Sequence, residues 1–263
     1  GERVVLPCSR SMTRPAHHRP RHLVSYTLGH SAIAMPPIDP RPRLLITAGP
    51  TREPLDSVRF VSNRSSGRMG LALAAAGRVL GWPTTLLLGP ITSAIPPDQD
   101  AIRFETTSDL SSLLHAHWPQ HDLLIMAAAV CDHRPAIPQQ GKIQREGPLT
   151  IELLATEDIV ASIDSITRPE QVRIGFALEP RECMEDAARD KLRRKNLDAI
   201  IANPLETMDA DTIDAMLIDA SGSTDVPSMT KEAFAHWILE QAATRYSPGI
   251  VDTTPVQGLD ADA

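Results

Sequence analysis

The stretch "LLITAGPTREPLDSVRFVSNRSSGRMGLALAAAGRVLGW", residues 44–82, passes from an apolar run through Gly-Pro and a polar segment into an Ala- and Leu-rich segment that stops at Gly81. Strand, loop and helix in that order open a βα unit. In an open α/β sheet, ligands bind beyond the carboxyl ends of the strands, where a loop feeds a helix N-terminus, and "NRSSGRMG" occupies such a junction. Ser65 or Ser66 is suited to cap the helix. Gly67 and Gly70 remove side chains where another group must come close. Unpaired N–H groups and the helix dipole favour an anion there, with phosphate as the natural guest. A helix start whose glycines merely pack on the sheet meets the same spacing, and the spacing leaves both readings open.

Working outward, the chain alternates. Strands are expected at 43–49, 84–89, 101–107, 122–130, 172–178, 197–203 and 214–220, and helices at 67–80, 108–118, 157–166, 181–195 and 230–246. This alternation implies a mostly parallel sheet covered on both faces, with the last strands as an antiparallel edge. Residues 131–155, "CDHRPAIPQQGKIQREGPLTIELLA", break the rhythm with prolines and one short alternating run, and read as a flap or arm. Residues 1–42 are Arg-, His- and Pro-rich and residues 247–263 are acidic and aperiodic; both are expected to be disordered, leaving one domain at 43–246.

At 263 residues and 42% hydrophobic content the chain is long enough for one large α/β domain. A net charge of -7 argues against a general nucleic-acid or membrane-surface binder. Three cysteines without a C-x-x-C pair suggest neither a disulfide framework nor a zinc site, and no apolar run reaches the length of a membrane span, so a cytoplasmic protein is expected. Neither G-x-x-x-x-G-K-[ST] nor G-x-G-x-x-G follows the first strand. No tyrosine precedes a lysine by four, which disfavours an oxidoreductase of the Tyr-x-x-x-Lys type; NAD(P) binding would be its signature.

The order "ITAGPTREPLDSVRFVSNRSSGRMG", "AAAVCDHRP", "GKI", "EDIV", "GFALE" and "KLRRKNLDAIIAN", spanning residues 44–246, resembles the bacterial phosphopantothenoylcysteine synthetases of coenzyme A biosynthesis. The resemblance implies a Rossmann-like three-layer α/β/α sandwich that forms a homodimer, its flap completing the partner's site. It also implies a ligase that joins 4'-phosphopantothenate and L-cysteine through an acyl cytidylate, using CTP and Mg2+. In many bacteria a flavin-dependent decarboxylase is fused ahead of the synthetase; here only a short basic arm precedes the motifs, so ligase activity alone, without FMN, is expected.

By that resemblance Asn63 and Arg59 hold the acyl cytidylate and assist cysteine transfer, and Lys142 of "GKI" neutralises the triphosphate from a mobile flap. Asp132 reaches the nucleotide or its magnesium. Main-chain groups at Met126, Ala127 and Ala128 contact cytosine, and Glu157, Asp158, Ile159 and Val160 help to line the nucleotide pocket. Phe176 bounds base or sugar, and Lys191 and Lys195 address the polyphosphate, with Ser66 and Gly67 on the loop. Taken singly, each has a plainer reading: a solvated loop lysine at 142, turn residues at 63 and 132, a core phenylalanine, and helix-end cations that complement the dipole. Lys191 and Lys195, four apart, do share one helix face.

Cys131, His133 and Pro180 stand where the family commonly carries alanine, an aromatic residue and threonine, and "GKIQRE" has fewer lysines than usual. Nothing near Cys131 in sequence activates it as a nucleophile, and a small buried residue is the simpler reading. These departures keep open a second class of function, a nucleotide-binding homologue that has lost turnover and acts by binding or regulation.

Overall fold

A computed structural model describes residues 41–207, 210 and 212–246. The expected arm at 1–42 and tail at 247–263 fall outside these residues, apart from positions 41 and 42. Eight strands form the central sheet: β1 (Leu44–Ala48), β4 (Thr84–Leu88), β5 (Ile102–Arg103), β6 (Leu123–Met126), β9 (Val172–Glu179), β10 (Ala199–Pro204), β11 (Thr212–Asp219) and β12 (Gly222–Thr230). Their order is β12-β11-β10-β9-β6-β1-β4-β5, parallel from β5 to β10 and antiparallel at β11 and β12.

Side-chain alternation along the strands splits the core in two. Leu44, Ile46, Ile125 and Ile174 face α1 (Arg68–Val79) and α5 (Lys231–Arg245), whose Leu73, Phe234 and Ile238 are buried against them. Leu45, Leu87 and Leu124 face the other way, onto α2 (Thr107–His117) and α3 (Ile159–Ser162), and Ile200 and Ala202 meet α4 (Met184–Arg194). Helices on both faces of a mostly parallel sheet give the expected three-layer α/β sandwich.

All seven expected strands lie in this sheet; two of them, and one helix, are corrected in extent. The strand at 101–107 is short because Thr106 turns to cap α2, in a reciprocal capping box with Asp109. The 122–130 strand stops at Met126, beyond which one bridge between Pro50 and Ala129 continues the register. The 157–166 helix shrinks to the four residues of α3 and a 3₁₀ turn at Asp164–Ile166. Strand β12 was not anticipated: it is an edge strand with only Val226 buried, and Pro227 sits where the register with β11 shifts. Two small ribbons were also missed as pairs, β2 (Arg52–Pro54) with β3 (Phe60–Ser62), and β7 (His133–Pro135) with β8 (Leu153–Ala155). The second ribbon forms the base of the arm at 131–155.

Helix α1 seats on the sheet through its glycines. A Cβ at Gly70 would lie 2.1 Å from Ala48 Cβ, and one at Gly77 would lie 2.6 Å from Thr84 Oγ1. Gly70→Ala should therefore cost about 1–3 kcal/mol by overpacking, read as a lower urea midpoint at unchanged m value.

At the opposite end of the sheet, Asp122 accepts from Arg43 N and Nε (2.9 Å each) and Nη2 (2.7 Å). Burial alone would raise the Asp122 pKa, but these bonds hold it below the ordinary aspartate value. Burial also lowers the pKa of His121, which bonds the His117 carbonyl and Thr85 Oγ1. Both folded-state values lie below the unfolded ones, so each contribution is complete above the unfolded pKa and lost as pH falls. Urea midpoints should begin to fall below about pH 6.5 through His121 and fall again below about pH 4 through Asp122. Asp122→Asn should lessen the second decline, the rest of which comes from other carboxylates held below their ordinary values, among them Asp109 and Asp158.

Candidate functional site

A cavity of about 800 Å³ opens beyond the carboxyl ends of β1, β6, β9 and β10. That volume suits a nucleotide-sized ligand. One wall is the loop from Ser62 to Gly67 and the first turn of α1. Neither serine side chain caps this helix. Gly67 takes the N-cap in the left-handed region (φ 74°) without a side-chain bond, and the first turn carries no acidic residue. Any Cβ at Gly67 would approach Ile91 Cγ2 to 2.7 Å. The glycine is thus required both by backbone conformation and by space, and the helix presents its dipole to the cavity without a local counter-charge. Gly70, although it also lines the cavity, chiefly permits the contact with β1.

The loop following β6 forms the floor. Ala127 N donates to the Thr47 carbonyl at 3.1 Å and Ala128 N to Thr47 Oγ1 at 3.2 Å, while that hydroxyl donates to Met126 Sδ at 3.5 Å. Asn63 Nδ2 donates to the Val130 carbonyl at 2.8 Å, tying floor to wall. Cys131 is 3% exposed, with its N–H on Thr51 Oγ1, and burial pushes its thiol pKa upward, so its environment is that of a packed thiol rather than a nucleophile. Asp132 lines the cavity; its carbonyl accepts from Thr156 N, and Thr156 Oγ1 donates to the Cys131 carbonyl, closing the base of the arm.

The far wall joins Glu157 to Val160, Phe176, Lys191 and Lys195. Glu157 accepts from Ser111 Oγ at 2.9 Å. Asp158 caps α3 through Ala161 N and receives Lys195 Nζ at 2.8 Å. Burial raises the Asp158 pKa, but the Lys195 bond and charge outweigh it and leave the group more acidic than usual. Phe176 lies three residues before the end of β9, half-buried against the α1 and α5 core while also facing the cavity. Arg64, Arg68, Arg194, Asn203, Thr207 and Lys231 also line the space and were missed from sequence. Of these, Arg64 and Arg68 had a legible signal, as cations flanking Ser-Ser-Gly. Asn203 had only its place at a strand end.

Fourteen of the sixteen expected site residues line this one cavity; Arg59 and Lys142 do not. Both lie where the arm meets the segment joining β2 and β3. The fully buried Asp56 carboxylate organises that contact: it accepts from Val58 N, from Arg59 N and the Arg59 guanidinium, and from Ile143 N at 3.0 Å. Arg59 Nη2 in turn donates to the Ile143 carbonyl, and Ser57 exchanges bonds with Gly141. Lys142 is therefore held between two anchored residues, with its backbone fixed and its side chain exposed.

Among the described residues, no three His, Cys, Asp or Glu side chains cluster as a metal site, and no helix is long and apolar enough to cross a membrane. A single carboxylate, Asp132, beside a polyphosphate would still suit magnesium, which keeps several waters and binds through one or two carboxylates plus substrate phosphates.

Residues 41–246 match the family described as DNA/pantothenate metabolism flavoprotein C-terminal domain. The chain belongs to this family. It is 36% identical over 211 residues to the coenzyme A biosynthesis bifunctional protein CoaBC of Escherichia coli (strain K12), covering 77% of this chain and 52% of that protein. It is 39% identical over 212 residues to a protein of an unknown prokaryotic organism named cysteine/cysteine sulfinic acid decarboxylase, covering 78% of this chain and 58% of that protein. The chain thus spans about half the length of the curated relatives it matches. The crystal structure of the C-terminal domain of a CoaBC protein superposes with a TM-score of 0.65 at 34% identity, over 77% of this chain and 94% of that one. The family assignment and this structural likeness agree with the fold described above.

Because Asp56 holds both strands of the arm contact, Asp56→Asn should speed hydrogen exchange at the Ile143 amide by about tenfold or more, leaving amides of β1 and β6 unchanged. The Arg59 guanidinium and the backbone N–H donors hold Asp56 far below the ordinary aspartate range. Protection of that amide should accordingly persist as pH falls through the usual aspartate range.

Proposed function

We propose that this chain is a ligase domain that joins 4'-phosphopantothenate to L-cysteine, activating the carboxylate with CTP. The observation that carries the reading is convergence. A helix N-terminus without acidic residues, the Asn63 loop, Lys191 of α4 and Lys195 at its C-cap surround one cavity, in a chain whose curated relatives include a coenzyme A biosynthesis protein. The reaction needs alignment of a carboxylate with an α-phosphorus and neutralisation of the charge that leaves as pyrophosphate.

In the first step a carboxylate oxygen of phosphopantothenate attacks the α-phosphorus, and the bond to the β,γ-diphosphate breaks. Lys191, Lys195 and the first turn of α1 offset the negative charge. With the Ala127 and Ala128 N–H groups engaged by Thr47, the carbonyls of this segment are the natural acceptors for the amino group of cytosine. When bound, magnesium would supply further charge neutralisation, with Asp132 as its protein ligand. In the second step the cysteine amine attacks the acyl carbon, loses a proton and displaces CMP. Asn63, fixed by Val130, would keep its amide oxygen toward the mixed anhydride.

Arg59 and Lys142 enter this scheme through a homodimer. The arm and the adjoining hairpin expose Phe60, Ile137, Leu149, Ile151, Leu153 and Leu154, and Ile137 is 73% exposed. Clustered apolar exposure of this kind marks an association surface. A two-fold dimer through it would carry the Asp56-anchored Lys142 of one protomer toward the cavity of the other.

The test is pyrophosphate release from phosphopantothenate, Mg2+ and CTP or ATP, with amide formation followed on adding cysteine. CTP-dependent release is expected, with Lys142→Gln and Asn63→Asp each lowering turnover by at least about 100-fold. Mixing the two inactive variants should restore about a quarter of wild-type activity, since half the dimers carry one intact shared site. CTP binding without consumption would instead favour a regulatory nucleotide-binding protein.

A further inference from the structure

The two lysines that reach the cavity from α4 already hold carboxylates. Lys191 Nζ lies 2.5 Å from Glu179 Oε1 at the last residue of β9, and Lys195 Nζ lies 2.8 Å from Asp158 Oδ1 at the cap of α3. The lysines stand one turn apart on one helix face, yet their partners come from two different elements. Asp158 lines the cavity beside Lys195, whereas Glu179 is not among the lining residues. Its side chain is 15% exposed, against 35% for Lys191, so the carboxylate is the more buried partner of the pair.

We propose that Glu179 and Asp158 are positioning residues that occupy the two ammonium groups in place of phosphate oxygens, and thereby set how tightly the cavity grips polyphosphate. The proposal rests on the nucleotide reading above and adds to it a control of affinity.

Two physical effects oppose one another, and the second, the charge of the carboxylate, is the larger. Each pair restrains a long lysine stem before the ligand arrives, so less rotamer freedom is lost on binding. Each carboxylate also places negative charge within a few ångströms of the site and competes for the same ammonium, which weakens attraction for any polyphosphate. An ammonium has three N–H donors, so Lys191 is able to keep Glu179 while bonding a phosphate oxygen. Abandoning Glu179 would leave a largely buried carboxylate without its charged partner, which is unfavourable. The ligand is therefore shared rather than captured. The same sharing acts on the product: pyrophosphate leaves through the cations that received the triphosphate, and two uncompensated lysines across the cavity from the α1 N-terminus would slow its departure.

The experiment measures binding of Mg·CTP and, separately, of inorganic pyrophosphate by calorimetry, on full-length wild type, Glu179→Gln, Lys191→Met and the double variant. Melting temperatures check that each is folded. Glu179→Gln should tighten both ligands in parallel by about three- to fivefold, the gain shrinking as salt rises. Lys191→Met should weaken both ligands, and adding Glu179→Gln to it should tighten neither. Inhibition of turnover by pyrophosphate should strengthen in Glu179→Gln by the same factor. Equal or weaker binding by a folded Glu179→Gln overturns the proposal while the nucleotide reading stands. If wild type binds neither ligand, the nucleotide reading fails and the proposal falls with it.

Discussion

The contact on which the site depends is the approach of α1 to β1 at Gly70 and Ala48. With no side chain at Gly70, the helix lies directly on the strand, and its first turn ends level with the last residues of β1 and β6. A larger residue there would lift the N-terminus away from the floor formed by residues 126–132. The same closeness explains why Gly67, not a serine, occupies the N-cap. The chain must reverse sharply beside Gly49 and Ile91, and a left-handed residue without Cβ makes that turn with its neighbours in place. The result is a dipole aimed at a cavity that was fixed by packing before any ligand contributes.

Electrostatics then divides the rim into two kinds of charge. Arg43 with Asp122, at the amino end of the sheet, forms a multiply bonded clasp remote from the cavity that helps to fix the starts of β1 and β6. At the carboxyl end the ion pairs are single contacts between flexible lysines and carboxylates. A bidentate, partly buried pair resists exchange; a single lysine contact exchanges readily. Around the cavity, then, the stiff clasp sits at the amino end of the sheet and the exchangeable pairs at the rim. This distribution follows from the α/β topology, because strand starts meet only connecting loops while strand ends meet ligand.

The fold was legible because hydrophobic period and chain punctuation agree almost everywhere. Runs such as "LLIT" and "LLIM" can hardly be anything but buried strands between helices. Strand β12 escaped because "GSTDVPSMT" buries one residue and contains a proline, and an edge strand needs no alternation to pair with its neighbour. The helix at 157–166 was overdrawn because Ile159, Val160 and Ile163 are spaced as in a longer helix, whereas the segment needed only one anchored turn under α2. The expected residues that line the cavity were reached through the order of motifs; residue type alone does not separate Asn63 from any other turn asparagine. The serine caps expected at 65 and 66 failed for a local reason, since the positive φ at Gly67 was invisible in a list of residues.

Arg59 and Lys142 carry a different lesson, about which surface a residue belongs to. Period and motif order place residues along one chain and have no term for a second copy. Asp56 shows why these two residues nevertheless form a unit. A fully buried carboxylate is stable only if its oxygens are met by donors, and here the donors come from residues 58 and 59 on one side and residue 143 on the other. Satisfying Asp56 therefore fixes the arm to the β2–β3 hairpin whether or not a ligand is bound. The Lys142 ammonium then projects from a rigid base into solvent beside an apolar face. A rigid base of this kind is what the dimer proposed above requires, because the reach of Lys142 would have to be set before the two surfaces meet.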